Sequence, residues 1–150
     1  MLSLTELSDL LSKESADFEI ISHDTPILKT EDAAMYFDIS KAAPVFIIQT
    51  ENGLYALIVS SAYRRINLKE LGQKLNFSKF KFAGKNVILE TTGYETGSIP
   101  LVGHNLPTIF DKSLLKFDFV YGGTGDKLHT LKINPYNIVD LNRDTIIIEI

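Results

Sequence analysis

The chain has 150 residues, 15 Lys+Arg against 19 Asp+Glu for a formal charge of −4, and neither cysteine nor tryptophan. Its length fits one domain with an adequate core, and 45% apolar with 23% charged residues is a folded composition rather than a disordered one. The missing cysteines exclude disulfides, Cys-ligated zinc, Fe–S clusters and thiol nucleophiles and fit a cytoplasmic location, while the mild acidity argues against indiscriminate coating of nucleic acid.

No apolar run approaches the roughly 18–20 residues of a membrane span. The start carries Glu6 and Asp9 without a basic leader, so no signal peptide is expected. Leu4, Leu7, Leu10 and Leu11 fall at helical spacing, with Ser3 or Thr5 as caps, and predict a helix over about 4–14. Phe18–Ser22 reads as a short strand, and Thr30 caps a predicted helix ending near Asp38. Val45–Gln49 and Leu54–Ser60 flank Glu51-Asn52-Gly53, a hairpin pattern. Asn67 caps a third helix that buries Leu68, Leu71 and Leu75. Lys79–Ala83 is a short strand, and Gly84–Thr92 a helix stopped by Gly93. Gly93 to Pro107 must be a long loop. Strands are predicted at Thr108–Phe110, Phe117–Tyr121, Thr130–Ile133 and Thr145–Glu149, with a short helix at Pro135–Leu141 capped by Asn134. Irregular interleaving with hairpins favours an α+β or mixed α/β fold with much antiparallel pairing.

Standard catalytic signatures are absent: no G-x-S-x-G, no phosphate-binding P-loop, no H-E-x-x-H and no dinucleotide glycine fingerprint. His23, His104 and His129 are far apart in sequence, and no metal site is expected from them. Gly122-Gly-Thr-Gly125 reads as a plain β-turn rather than a phosphate cradle, because no helix start follows it. The charges are segregated. Arg64, Arg65, Lys69, Lys74, Lys79, Lys81 and Lys85 face only Glu70, a balance of +6, and the remainder of the chain carries −10. Such a segment fits a localised phosphate contact, or else a solvated face. In the loop, Gly93, Gly97, Pro100 and Gly103 mix permissive and rigid positions that suit recognition of a carbonyl or ribose by main-chain donors.

These pieces form an ordered set: Ala33-Ala34, Ile39, Gly53–Val59, Arg65-Ile-Asn-Leu-Lys-Glu-Leu71, Thr92-Gly-Tyr94, Gly97, Pro100, Gly103-His104, Leu106-Pro-Thr-Ile-Phe-Asp111 and Gly122-Gly123. The set spans about residues 18–140 and resembles the YbaK / prolyl-tRNA-synthetase-associated domain family of aminoacyl-tRNA deacylases. The resemblance implies one α/β (α+β-like) domain over 18–150, with a mixed, largely antiparallel sheet and several short helices. Residues 1–17 would be an N-terminal helical extension. It implies hydrolysis in trans of the ester of mischarged tRNA, with aminoacyl-tRNA, and an aminoacyl-tRNA synthetase, as partners, and no cofactor. The 3′-terminal aminoacyl-adenosine would enter a cavity where the backbone of Gly97, Ser98, Ile99 and Pro100 orients the ester for attack by water or a ribose hydroxyl. Tyr94, Gly103, His104, Asp111, Gly122 and Gly123 would be substrate-binding positions, and Arg64, Arg65 and Lys69 would contact the tRNA. The family's lysine falls on Pro44, which offers no charge and no donor. Lys41, three residues earlier, is the candidate substitute, and the loop is one residue shorter than the family pattern between Gly97 and Pro100. These departures motivate the alternative of a catalytically degenerate member that binds aminoacyl-tRNA, or an aminoacyl-like ligand, without turnover.

Overall fold

A computed structural model describes residues 1–27, 30–62 and 65–150. Helix α1 (Leu4–Lys13) opens on a capping box in which Ser3 Oγ accepts from the Glu6 amide and the Glu6 carboxylate accepts from the Ser3 amide. Its Leu7 and Leu11 lie one turn apart and are buried. Strand β1 is Phe18–Ser22, β2 is Val45–Thr50 and β3 is Gly53–Ile58. Between the last two, Thr50 pairs with Gly53, whose φ of +105° closes the turn. The Thr50 hydroxyl donates to the Gly53 carbonyl and accepts from the Asn52 amide, so the turn is tied on both sides.

Helix α2 (Leu68–Lys74) is capped by the Asn67 side chain, which accepts from the Glu70 amide. Strand β4 (Phe80–Phe82) leads to α3 (Lys85–Thr92), which ends at Gly93 with φ +79°, a left-handed position that glycine adopts freely. Then follow β5 (Pro107–Asp111), β6 (Val120–Gly123), β7 (His129–Ile133), α4 (Pro135–Leu141) with Asn134 as its cap, and β8 (Arg143–Ile148).

The strands form two sheets. One is antiparallel in the order β1-β7-β6; the other runs β4-β2-β3-β5-β8, with β3-β5 and β5-β8 parallel and the remaining pairs antiparallel. A bridge from Ala42 to Tyr121 ties the start of β2 to the smaller sheet. The interior strand β2 is covered on both faces. Ile47 joins Ala56, Ile88, Tyr94 and Ile99, and the next residue, Ile48, joins Leu57, Val59, Leu71 and Ile109 on the opposite side. Coverage of both faces explains its unbroken apolar run. A third cluster packs Leu7 and Leu11 of α1 against Ala43, Ile58, Leu101, Phe110, Leu131 and Ile133.

Four expectations need correction. The helix predicted over 30–38 is a 3-10 segment, Thr30–Met35, followed by a second one at Ile39–Lys41 that Asp38 caps. The segment lacks an apolar stripe: Ala33 is buried while Met35 is 89% exposed. The Thr30 side chain, the predicted cap, lies outside the described side chains. The strand predicted at Phe117–Tyr121 begins only at Val120, because Phe117 terminates a 3-10 segment (Lys112–Lys116) with its amide on the Leu114 carbonyl. Finally, Gly122 and Gly123 are strand residues, paired with Leu131 and Thr130, rather than part of a turn. Strand β8 also begins two residues earlier than predicted.

Candidate functional site

The glycines at the end of β6 explain how the site is built. A Cβ on Gly123 would lie 2.1 Å from the Ile99 carbonyl oxygen, and one on Gly122 would lie 2.5 Å from Leu101 Cδ1. The loop after α3 therefore lies directly against the β6 backbone, fixed by the Leu101 amide donating to the Gly123 carbonyl at 3.1 Å. Ile99 buries its side chain with Ile47, Ala56 and Tyr94. Gly97 takes φ +93°, and the Ser98 amide donates to the Glu95 carbonyl. Among the described residues, the amides of Gly97 and Ile99 donate to no protein acceptor.

Beside this loop lies a cavity of about 370 Å³, within the usual size of a small-ligand site. Gly97, Ser98 and Ile99 form one wall, Tyr121, Gly122 and Gly123 another, and Pro44, Val45 and Phe46 a third. Ala33 and Phe37 bring the 3-10 segment and its end onto the rim. Besides the Tyr121 phenol, the ionisable groups of the lining are Asp126, Lys127 and His129. The Leu128 amide, donating at 2.8 Å, holds the Asp126 carboxyl below its ordinary pKa, with His129 adding to the effect. His129 Nδ1 sits 3.4 Å from Asp126 Oδ1, too poorly aligned for a hydrogen bond. Thr130, also on the wall, is bonded to His23. Because His23 Nδ1 faces the Thr25 carbonyl at 2.7 Å it must donate there, so in the neutral ring Nε2 accepts from Thr130 Oγ1 at 3.2 Å.

The structure thus brings Gly97, Ser98, Ile99, Gly122 and Gly123 together around one cavity. Pro100 is buried directly behind them. Tyr94 stands farther back. Its hydroxyl accepts from the Leu2 amide at 2.9 Å, its ring abuts Gly125, and burial pushes its pKa up. Gly103 packs against Leu2 with φ +93°. Buried His104 accepts from the Leu106 amide through Nδ1, which leaves a proton on Nε2 with no partner. Burial lowers its pKa to about 4. Asp111 is fully buried, and both its oxygens are used, accepting from the Ser60 and Ser113 amides at 2.9 Å. None of these four residues is part of the cavity lining.

Lys41 does not line the cavity either; its ammonium lies 4.7 Å from the centre of the Phe119 ring. Pro44 does line it. Arg65 lies on a separate depression of about 220 Å³ beside Lys74 and the C-terminal residues, and Lys69 is exposed on α2. Arg64 lies outside the described residues. Sequence reading did not select Asp126, Lys127, His129 or Thr130. Their only signal was a run of polar residues opening a strand behind a glycine turn.

Comparison with known proteins agrees with this architecture. The sequence pattern described as an aminoacyl-tRNA editing domain matches residues 24–141. The solved structure of hypothetical protein APE2540 is similar at TM-score 0.83 and 22% identity, covering 95% of this chain and 97% of that one. A protein proposed to be a trans-editing enzyme for prolyl-tRNA synthetase is similar at TM-score 0.83 and 19% identity, covering 99% and 98%. These two likenesses establish a shared fold, and with the pattern matched from just after β1 through α4 the chain belongs to the aminoacyl-tRNA editing domain family.

Proposed function

We propose that this protein hydrolyses the ester of mischarged aminoacyl-tRNA, acting in trans as a freestanding deacylase in the cytoplasm, with an aminoacyl-tRNA synthetase as the source of its substrate. The observation that carries the reading is the unpartnered pair of amides at Gly97 and Ile99 on a cavity wall. Main-chain donors held by a packed loop stabilise negative charge on a carbonyl oxygen during acyl transfer. In the proposed step, the oxygen of water bonds to the ester carbonyl carbon and the developing oxyanion is met by these amides. The bond to the ribose oxygen breaks, and the proton from water ends on that oxygen. The products are a free amino acid and a tRNA with its hydroxyl restored. The apolar lining suits a small side chain, with the Asp126 carboxylate placed to attract the amino group and Lys127 and His129 to attract a phosphate.

Pro44 on the cavity wall supports a second reading, in which the protein binds the aminoacyl end without turnover. Incubation with a panel of mischarged tRNAs tests the first reading, and binding of a non-hydrolysable aminoacyl-adenosine tests the second. Release of amino acid from at least one tRNA supports deacylation. Binding of the analogue with every tRNA left intact supports the second reading, and failure of both removes the site assignment.

A further inference from the structure

Two side chains of the cavity lining lead outward to a feature that the reaction does not use. Phe37 and Tyr121, both on the cavity lining, stack at 4.3 Å with their planes 15° apart. Tyr121 meets Phe119 edge-on at 5.6 Å. Phe119 in turn gathers two ammonium groups, Lys41 at 4.7 Å and Lys132 at 4.0 Å from its ring centre. Both positions are fixed by the sheet: Lys132 sits opposite Tyr121 in the β6–β7 register, and Lys41 immediately precedes Ala42, which bridges to Tyr121. Two like charges on one ring lie within the roughly 10 Å screening length of 0.1 M salt, so they repel. Among the described residues, no carboxylate forms an ion pair with either. Two acids stand near them without a direct ion pair. Glu19 is exposed directly across from Lys132 in the β1–β7 register, and Asp38, held below its ordinary pKa chiefly by its bonds to Ser40, also feels the charge of Lys41.

A pair of cations without a direct ion-pair partner, gathered on an aromatic strip that reaches the cavity lining through Tyr121, suits the backbone of a single-stranded nucleic acid entering that cavity. We propose that Lys41 and Lys132, presented by Phe119, bind phosphates of the single-stranded 3′ tail next to the nucleotide held in the cavity. This rests on the editing function proposed above and assigns the tail to this strip rather than to Arg65 and Lys69 on α2. Lys41 then acts on the strand and not on the ester.

The test compares a small RNA hairpin carrying a single-stranded 3′ tail with the same hairpin blunt-ended. It uses the full chain, its Lys41→Gln/Lys132→Gln variant, the Arg65→Gln/Lys69→Gln variant of equal charge change, and Glu19→Gln. The lysine variant should lose roughly tenfold in affinity for the tailed hairpin, and its salt dependence should flatten by roughly 1.4 in log–log slope, about 0.7 for each lost phosphate contact. Glu19→Gln should tighten binding, an effect that misfolding cannot imitate. The blunt hairpin should bind weakly and equally to all four proteins. The proposal is overturned if the lysine variant binds as the parent does, if only Arg65→Gln/Lys69→Gln weakens binding, or if the tail makes no difference. Hydrolysis is read separately, on an aminoacyl ester of adenosine alone. If that ester is cleaved equally by parent and lysine variant, tail binding and chemistry are separate functions. If no ester is cleaved while lysine-dependent tail binding persists, the deacylase reading fails and the strip remains.

Discussion

Gly123→Ala tests whether the loop and β6 truly share one backbone contact. The new Cβ would stand 2.1 Å from the Ile99 carbonyl oxygen and 3.5 Å from Pro100 Cα, and side-chain carbons essentially never come within 3.0 Å of another heavy atom. Main chain rather than a flexible side-chain tip must therefore retreat by close to 1 Å. Overpacking of this kind costs about 1–3 kcal/mol. The same retreat stretches the Leu101 amide to Gly123 carbonyl bond, adding about 1 kcal/mol. A total of about 2–4 kcal/mol lowers the melting temperature by roughly 5–15 °C for a chain of this size. Because the displaced atoms adjoin the Gly97 and Ile99 amides, a shift of that size should cut kcat/KM for ester hydrolysis by up to roughly a hundredfold. Calorimetry and a deacylation time course on the same preparation read both effects. Gly84→Ala is the control. Nothing lies within 4 Å of its Cβ position, so the cost there is that of replacing the N-cap glycine of α3 by alanine, about 1 kcal/mol, with kcat/KM unchanged. Parental melting and parental kcat/KM in Gly123→Ala would refute the packing derived for this wall.

Gly97→Ala forces an L-residue to φ +93°, costing about 1–2 kcal/mol locally. It should lower kcat far more than it lowers the melting temperature, measured by steady-state kinetics beside thermal unfolding. His104 is uncharged when folded, with a pKa near 4 against 6.5 for a free histidine. Below 6.5 the unfolded chain thus binds the extra proton. Stability is intact above that pH and falls by about 3 kcal/mol as pH drops toward 4. Urea titrations at several pH values should show this limb flattened in His104→Leu; an unchanged limb excludes His104 as its source. Asp111→Asn leaves a buried Ser60 or Ser113 amide without its acceptor, for about 1–3 kcal/mol of lost stability. KM should remain parental, because Asp111 is no part of the cavity lining. Leu11→Ala removes a fully buried side chain of the main core and should cost about 2–5 kcal/mol by chemical denaturation. A small cost there would mean that α1 is only loosely attached.

The local elements were legible wherever their signal is local. Ser3, Asn67 and Asn134 cap their helices because a short side-chain acceptor satisfies a free amide close by in sequence. The apolar runs Val45–Gln49 and Leu54–Ser60 announced a buried hairpin. Gly97 to Pro100, together with Gly122 and Gly123, also drew notice in sequence, because glycine patterning is written into the chain. Phe117–Tyr121 misled because its apolar content is spent on a 3-10 end and on the aromatic strip, not on strand pairing.

Sequence alone determined the family and most of the element order, since both depend on residue type and spacing. Tertiary structure alone decided which polar residues face the cavity. His104 and Asp111 belong to the loop motif yet turn into the protein, where backbone amides occupy them. Asp126, Lys127 and His129 come from a later hairpin and reach the wall through the β6–β7 register. The formal charge of −4 concealed that geometry as well. Seven cations crowd residues 64–85 in sequence, whereas the two that meet beside the cavity, Lys41 and Lys132, are 91 positions apart and are joined only because Phe119, the residue before β6, stands between them. Spacing along a chain cannot encode that meeting, because it depends on which strands pair and on the face each side chain takes.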